Sequence, residues 1–254
     1  MSGHSKWANI KYRKGAADLK KGKLFSRLAK EIAVVAKEGG GDINANASLR
    51  HLVEKARDAN MPRDNVDRAI KRGTGELPGV SYEHVVYEGY GPGGVAVLVE
   101  ALTDNKNRAT SEVRSIFAKK GGNMAGAGSV SWMFSRKGLI TVAKDAIDED
   151  TLLTMVIESG AEDMKTEGDV FEIVINPGNF ETVKNALSDK KIPLSSSEIT
   201  MLPSNHIKLN GQEAKQVLSL MDLLQSNDDV QQVYANFDIP DEIIEQAANE
   251  DTGN

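Results

Sequence analysis

GLITVAKDAIDEDTLLTMVIESGAEDMKTEGDVFEIVINPGNFETVKNALSDKKIPLSSSEITMLP, residues 138–203, is the stretch that decides the fold of this chain. Alternating β-branched runs predict strands, and apolar residues three to four apart predict helices. The expected elements, in order, are GLITVA, DEDTLLTMVIES, AEDMKTE, VFEIVI, NFETVKNALSDK and EITMLP. This βαββαβ order is the ferredoxin-like one, so we expect a small α/β sandwich here.

The segments on either side of this unit complete each other. Before it, YEHVVYEGY, GVAVLVEAL and SVSWMF are predicted strands and NRATSEVRSIFAKKG a helix, giving ββαβ. After it, GQEAKQVLSLMDLLQS is a predicted helix and VQQVYANF a strand. This αβ pair is what the interrupted unit lacks, so the ferredoxin-like unit is predicted to be inserted into a second domain. The last segment, DEIIEQAANEDTGN, is acidic and we expect it to fray.

The first part of the chain predicts a small helical bundle. In KLFSRLAKEIAVVAKEGGG, apolar residues recur at helical spacing, and three glycines then end the helix. NASLRHLVEKARDAN and MPRDNVDRAIKRG predict two further amphipathic helices. The predicted fold class is therefore α+β with three domains: an N-terminal three-helix bundle and two small α/β-sandwich domains, the ferredoxin-like third inserted into the second. The predicted boundaries are 1–78, 79–135 with 207–240, 136–206, and an acidic tail at 241–254.

Charge is strongly segregated along the sequence. The chain has a formal net charge of -6, yet residues 1–75 contain 17 Lys and Arg against 8 Asp and Glu. An acidic remainder repels polyanions, so nucleic-acid contact is expected in the first block. The chain has no cysteine, and it has neither a signal-like apolar run nor the about 20 apolar residues of a membrane span. We expect a cytoplasmic protein that does not bind membranes, with a monomer favoured.

Two stretches of the sequence have the glycine content of phosphate-binding loops. Gly89, Gly91 and Gly94 form a G-x-G-x-x-G pattern, but a strand-like segment follows where a dinucleotide site needs a helix. GGNMAGAGS, residues 121–129, lacks the lysine of a phosphate loop, and a structural cap is favoured. The four histidines have no metal-ligand spacing and no nucleophile motif is present. We expect no metal, no cofactor, no catalytic residue and no enzymatic activity.

The basic N-terminal segment is the main candidate site. Between Gly3 and Lys23, seven Lys and Arg residues are accompanied by one acid, Asp18. We predict that the following contact nucleic acid: a basic arm of Lys6, Lys11, Arg13 and Lys14; a basic ridge of Lys20, Lys23, Arg27 and Lys30; and the aromatic residues Trp7 and Tyr12, stacking on unpaired bases or ribose. The ridge residues are spaced i, i+3, i+7 and i+10, which places them on one helix face.

Phosphate contact of this kind would depend on salt. Neutralising four phosphates of duplex DNA gives a log–log salt slope of about −3.6, or roughly a hundredfold weaker binding between 50 and 200 mM salt. In the alternative interpretation, Trp7 and Tyr12 pack onto the bundle and the lysines only solubilise it. A membrane surface is less favoured, because the bundle itself needs Leu24, Leu28 and Ile32. A secondary nucleic-acid contact is predicted at Asn105, Asn107, Arg108, Lys119 and Lys120, where TDNKNR precedes a helix.

Four blocks of sequence resemble a known family. They are GHSKWANIKYRKGAADLKKGKLFSRLAKEI, NMPRDNVDRAIKRGTGE, YEGYGPGGVAVLVEALTDNKNRATSEVRSIFAKKGGN and GSVSWMF. Together they are similar to the YebC/PmpR family. The resemblance implies a three-domain α+β fold, no enzymatic activity, and a cytoplasmic regulator of gene expression. Members are described as DNA-binding transcriptional regulators, a mitochondrial relative is a translational activator, and bacterial members have been linked to the ribosome.

The leading hypothesis is a DNA-binding transcriptional regulator of this family that uses its basic helical domain. The alternative is a translation factor that binds ribosomal RNA or the ribosome, since no helix-turn-helix with readable base contacts is evident. A third class is a protein-interaction module whose acidic domains form the functional surface, and an enzyme is the least favoured class. The sequence does not predict the target site or whether the cleft between the domains holds a ligand.

Overall fold

The computed structural model describes residues 17–250, with side chains for residues 22–240 and 242–247. The N-terminal domain consists of helices α1 (Ala17–Gly39), α2 (Ala47–Asp58) and α3 (Arg63–Gly73). Their apolar stripes meet in one core, with Leu28, Ile32 and Leu49 at no more than 1% exposure. Gly40 ends α1 with a φ of 84°, a left-handed conformation that favours glycine.

The second domain is a four-stranded antiparallel sheet with helices on one face. The strands and helices that precede the inserted domain are β1 (Glu83–Tyr90), β2 (Ala96–Thr103), α4 (Lys106–Lys119) and β3 (Asn123–Ala125). The strand order is β3-β1-β2 followed by β9 (Val230–Ala235), so a strand from the C-terminal part of the chain completes the sheet. The core lies between the sheet and helices α4, α7 (Gly211–Ser226) and α8 (Asp241–Glu250), whose buried residues include Phe117, Met221 and Ile244.

The third domain has the predicted ferredoxin-like order. Its elements are β4 (Phe134–Ala143), α5 (Glu149–Glu158), β5 (Ala161–Glu167), β6 (Val170–Ile175), α6 (Phe180–Asp189) and β7 (Leu194–Pro203). The strands form a separate sheet in the order β5-β6-β4-β7, with its own core under α5 and α6. The chain then returns to the second domain through β8 (Ile207–Lys208), α7 (Gly211–Ser226), β9 (Val230–Ala235), β10 (Phe237–Asp238) and α8 (Asp241–Glu250). The predicted fold class, including the insertion, is confirmed.

Two local predictions were wrong. SVSWMF is not a strand of the second domain: residues 131–133 form a 3-10 turn, and Phe134 begins β4 of the third domain. The sheet instead takes its fourth strand from Asn123–Ala125, inside the glycine-rich segment. The acidic tail does not fray throughout, because residues 241–250 form α8 and the side chain of Ile244 is fully buried in the second core. Burial of this one apolar turn outweighs the acidic composition around it.

No helix between residues 17 and 250 combines the length and the apolar composition that a membrane span requires.

Candidate nucleic-acid interface

Three of the four ridge residues contact the second domain. The ammonium of Lys23 donates to the carbonyl of Ser226 at 3.0 Å, and the guanidinium of Arg27 donates to the carbonyl of Gln225. Lys30 donates to the carbonyl of Asp228 at 2.8 Å. All these carbonyls lie at or just beyond the C-terminal end of α7. The ridge therefore lies against the end of another helix, and we call this contact the α1–α7 interface.

This contact follows from the physical chemistry of helix ends. The last four carbonyls of a helix have no intrahelical partner, and they carry the negative end of its dipole. Cations on a neighbouring helix satisfy these carbonyls. Burial lowers the pKa of Arg27, while the negative charges of Glu31 and Asp228 act in the opposite direction. The ridge cations are thus complementary in charge to the C-terminal end of α7, a partner within the protein itself.

The buried carboxylate of Asp229 links the N-terminal domain to the second domain. Its side chain is 6% exposed and accepts from Lys30 at 2.8 Å, from Arg108 at 2.8 Å and from the Thr103 hydroxyl at 2.9 Å. Burial alone would raise the pKa of Asp229, but these hydrogen bonds hold it below its usual range. Lys30 also lies 5.6 Å from the ring centre of Tyr82, a cation–π contact. A ridge residue and a residue of the predicted secondary contact therefore meet on one buried carboxylate.

The predicted secondary contact is divided between the two ends of α4. Asn105 caps the N-terminus, where its side chain accepts from the backbone N–H of Arg108 at 3.1 Å. Asn107 is exposed in the first turn. Arg108 bridges Asp104 and Asp229, and these carboxylates raise its pKa. Lys119 and Lys120 lie at the opposite end of this 14-residue helix, about 20 Å away at 1.5 Å per residue. The structure does not bring these five residues together.

The basic arm lies outside the described residues, with Trp7 and Tyr12. The side chain of Lys20 is also outside them, although its backbone belongs to α1. Residues 1–21 contain six Lys and Arg and one Asp, and residues 22–75 contain eleven and seven. The exposed cations of α2 and α3 were not among the predicted contacts: they are Arg50, Lys55, Arg57, Arg63, Arg68, Lys71 and Arg72. Their helical spacing is visible in the sequence, but acidic residues lie among them, so they form no purely basic run.

The glycine motifs serve the backbone of the second domain. The segment from Gly89 to Gly94 forms the hairpin between β1 and β2, as predicted, with Gly93 and Gly94 at φ of 68° and 77°. Gly89 has a steric role as well, because a Cβ there would lie 2.7 Å from the carbonyl of Asn123 on β3. Residues 121–129 contain β3 and the loop after it. Within the described residues, no group of His, Asp and Glu is arranged to hold a metal ion.

Trp132 lies in SVSWMF, the segment that was predicted to be a strand. It lies in the 3-10 turn after the glycine-rich loop, and its side chain is 70% exposed. The strand assignment concealed the exposure of this side chain. A large aromatic residue that follows a glycine-rich loop is itself a signal of exposure.

Comparisons with known proteins cover nearly the whole chain. Residues 5–76 match the family model for the TACO1/YebC protein N-terminal domain, and residues 82–237 match that for the TACO1/YebC second and third domain. A "Probable transcriptional regulatory protein" of Natranaerobius thermophilus is 57% identical over 248 residues, covering 96% of this chain and 99% of the relative. A protein of the same description from Geobacter sulfurreducens is 56% identical over 246 residues, covering 97% and 99%.

A solved structure has the same fold. The crystal structure of a conserved hypothetical protein from Aquifex aeolicus, 46% identical, superposes with a TM-score of 0.77, covering 89% of this chain and 93% of that one. Two domain matches, a solved fold and relatives above half identity all agree with the resemblance found in the sequence. This chain belongs to the TACO1/YebC family.

Proposed function

We propose that this protein regulates gene expression in the cytoplasm by binding nucleic acid through its N-terminal domain, and that it does so without catalysis. The observation that carries the proposal is the segregation of charge, since residues 1–75 hold 17 basic and 8 acidic residues in a chain of net charge -6. At long range, a polyanion is drawn to that end in preference to the acidic remainder. The description of the relatives as transcriptional regulators supports DNA as the target.

Within the N-terminal domain, the proposed contact is centred on the basic arm. Lys23, Arg27 and Lys30 donate to the end of α7 and to Asp229, so phosphates would have to displace those contacts. The arm is joined to α1, whose position against the second domain those three residues fix. The exposed cations of α2 and α3 extend the positive surface. In this proposal the ridge holds α1 against the second domain, and the arm that precedes α1 in the sequence contacts the phosphates, with Trp7 and Tyr12 stacking on bases.

The test compares binding to duplex DNA and to purified ribosomes between 50 and 200 mM salt. The variant carries Lys6→Glu, Lys11→Glu and Lys14→Glu. The matched control carries Lys144→Glu, Lys165→Glu and Lys190→Glu, which change exposed lysines of the third domain by the same charge. We expect the arm variant to reduce the log–log salt slope on DNA by about 2.7 and to weaken binding at every salt concentration. Equal affinities of the arm variant and the control would overturn the proposal.

The same titration separates transcription from translation. A DNA sequence that is bound tightly at 200 mM salt, where ribosomes are not, supports a transcriptional role. Ribosome binding that persists while DNA binding collapses supports a translation factor, because it shows that the DNA contact is generic electrostatics. Absence of salt-dependent binding to either would support a protein-interaction module instead.

A further inference from the structure

Trp132 presents an aromatic ring to solvent on the second domain. Its side chain is 70% exposed, the highest exposure among the large apolar side chains from Leu24 to Leu223 that lie at the surface. Tryptophan is usually mostly buried, so an exposed one is informative. The indole N–H already donates to the carbonyl of Ser129 at 3.1 Å. The ring is therefore anchored at its polar edge, and its faces are left for a partner.

The turn that carries this ring is fixed by a carboxylate. Glu88, in β1, is 6% exposed and accepts from the backbone N–H groups of Gly128, Val130 and Ser131 at 2.7 to 2.8 Å. Charge-assisted hydrogen bonds of this kind are stronger than neutral ones. Because the backbone N–H groups of these three residues donate to one side chain in a strand, the backbone that leads into Trp132 is tied to the sheet.

Two further contacts hold the same turn. The hydroxyl of Tyr90 donates to the carbonyl of Ser129 at 3.0 Å. The backbone N–H and the hydroxyl of Ser204 donate to the carbonyl of Met133 at 2.8 and 2.9 Å. Val130 and Phe134, on either side of the exposed ring, are buried. The ring thus stands on a preorganised support, so a partner that stacks on it loses little conformational freedom of the protein.

We propose that Trp132 is a stacking platform for an unpaired nucleobase of the nucleic acid that the N-terminal domain binds. The inference rests on the proposed function for the identity of the partner. A base offers a flat π-face and needs no hydrogen bond from the indole, which matches a ring whose N–H is already used.

The chain provides its own reporter, because it contains two tryptophans, Trp7 and Trp132. Trp7→Phe leaves Trp132 as the sole indole, and Trp132→Phe leaves Trp7. Each variant of the full chain is titrated with a twelve-nucleotide oligouridine and a twelve-nucleotide oligothymidine while tryptophan emission is recorded. We expect quenching of Trp132 in the Trp7→Phe protein. Trp132→Ala should weaken binding by about five- to 100-fold, the range for one stacked base, and Trp132→Phe by less.

The controls keep the test independent of folding. Val80→Ala alters another exposed apolar side chain, at 56% exposure, and should leave binding unchanged. The thermal melt of Trp132→Ala should match that of the unchanged protein, since little surface is buried at this side chain. The platform is overturned if the oligonucleotides bind while the Trp132 emission stays constant and Trp132→Ala keeps full affinity. The proposed function then stands on the arm alone. Absence of oligonucleotide binding by the unchanged protein would overturn the platform, whereas the proposed function is decided by the titrations with duplex DNA and ribosomes.

Discussion

At the scale of single residues, Glu88 shows how a charge can be stable inside a sheet. A buried carboxylate is costly unless hydrogen bonds replace its hydration. Burial would raise the pKa of Glu88, but the backbone N–H groups of Val130, Gly128 and Ser131 hold the pKa below its usual value. The carboxylate stays ionised and replaces the regular backbone pairing that this irregular loop lacks.

We predict that Glu88→Gln lowers the free energy of unfolding by about 1–3 kcal/mol, because the amide nitrogen cannot accept from a backbone N–H and leaves a donor unpaired. Urea unfolding measures the change, and Glu83→Gln, at an exposed position of the same strand, is the control. Equal midpoints for Glu88→Gln and the control would contradict the role assigned to this carboxylate.

The depressed pKa of Glu88 also predicts a pH dependence. A carboxylate whose pKa is lower in the folded state stabilises the protein above its unfolded pKa, and this contribution is lost as the pH falls through the folded value. Stability of the unchanged protein should therefore decline in acid from about pH 5 downwards. Glu88→Gln should show a smaller decline between pH 5 and pH 3 in the same urea experiment. An identical acid slope in both proteins would contradict the prediction.

At the scale of secondary-structure elements, α1 does two things. One face packs in the helical core through Leu28 and Ile32, and another face contacts the end of α7. The second contact is polar, and its best-buried pair, Lys30 and Asp229, has side chains 14% and 6% exposed. Such an interface is specific in geometry but modest in strength, because desolvation offsets much of the attraction between charges.

We predict that Lys30→Met loosens the α1–α7 interface while the three-helix core stays folded. Methionine keeps most of the apolar stem, but Asp229 loses one of its two cations, so its pKa should rise. The chain has no cysteine, so cysteines placed at the exposed residues Asp58 and Gln216 can carry a donor and an acceptor dye. Mean transfer efficiency should fall in Lys30→Met, and further at high salt, where screening weakens the attraction between Arg27 and Asp228.

Lys37→Met is the matched control for this measurement. It makes the same substitution on the same helix, where Lys37 donates to the hydroxyl of Ser81, in the segment before β1, at 2.6 Å and not to α7 or Asp229. Its transfer efficiency should equal that of the unchanged protein. If Lys30→Met behaves like this control, the ion pair at Asp229 does not determine the position of the N-terminal domain.

The sequence predicted a helix or strand well where neighbouring residues determine its structure. It predicted less well where residues distant in sequence determine the structure. Helix α7 ran over the predicted residues because its apolar stripe and its flanking residues are local signals. The partners of Lys23 and Arg27 are about 200 residues away in sequence, and no spacing rule reveals them. SVSWMF has strand-forming residues, yet hydrogen bonds from its loop to Glu88 override that propensity.

At the scale of the whole molecule, the third domain is joined to the second by two adjacent chain crossings and by a small apolar cluster, in which Phe134 and Met201 pack with Leu98 and Tyr234. The carbonyl of Met133 accepts two hydrogen bonds from Ser204, and Phe134 and Pro203 are register partners on β4 and β7. The two chain crossings are therefore side by side. The buried cores of the second and third domains share no residues. Such an insertion can be removed without separating the ends that the host domain must hold together.

We predict that the host folds when residues 136–201 are replaced by Asn-Gly. Ser135 and Leu202 are register partners, so a two-residue turn of this type can close β4 onto β7 as a hairpin. The shortened chain should keep a cooperative thermal transition and the helical circular-dichroism signal of α1, α4 and α7. Loss of the half-buried Met201, which packs beside Phe134, should cost about 2 kcal/mol.

A matched variant with Pro-Pro in place of Asn-Gly tests the turn itself, because proline removes the backbone donors and cannot adopt the positive φ that this turn needs. It should melt at a lower temperature than the Asn-Gly chain. If the Asn-Gly chain is unfolded at 25 °C while the full chain is stable, the inserted domain contributes more than a hairpin to its host. The division of the chain into 79–135 with 207–240 and 136–206 would then be wrong in energetic terms, since the sheet of the second domain would need the core of the third.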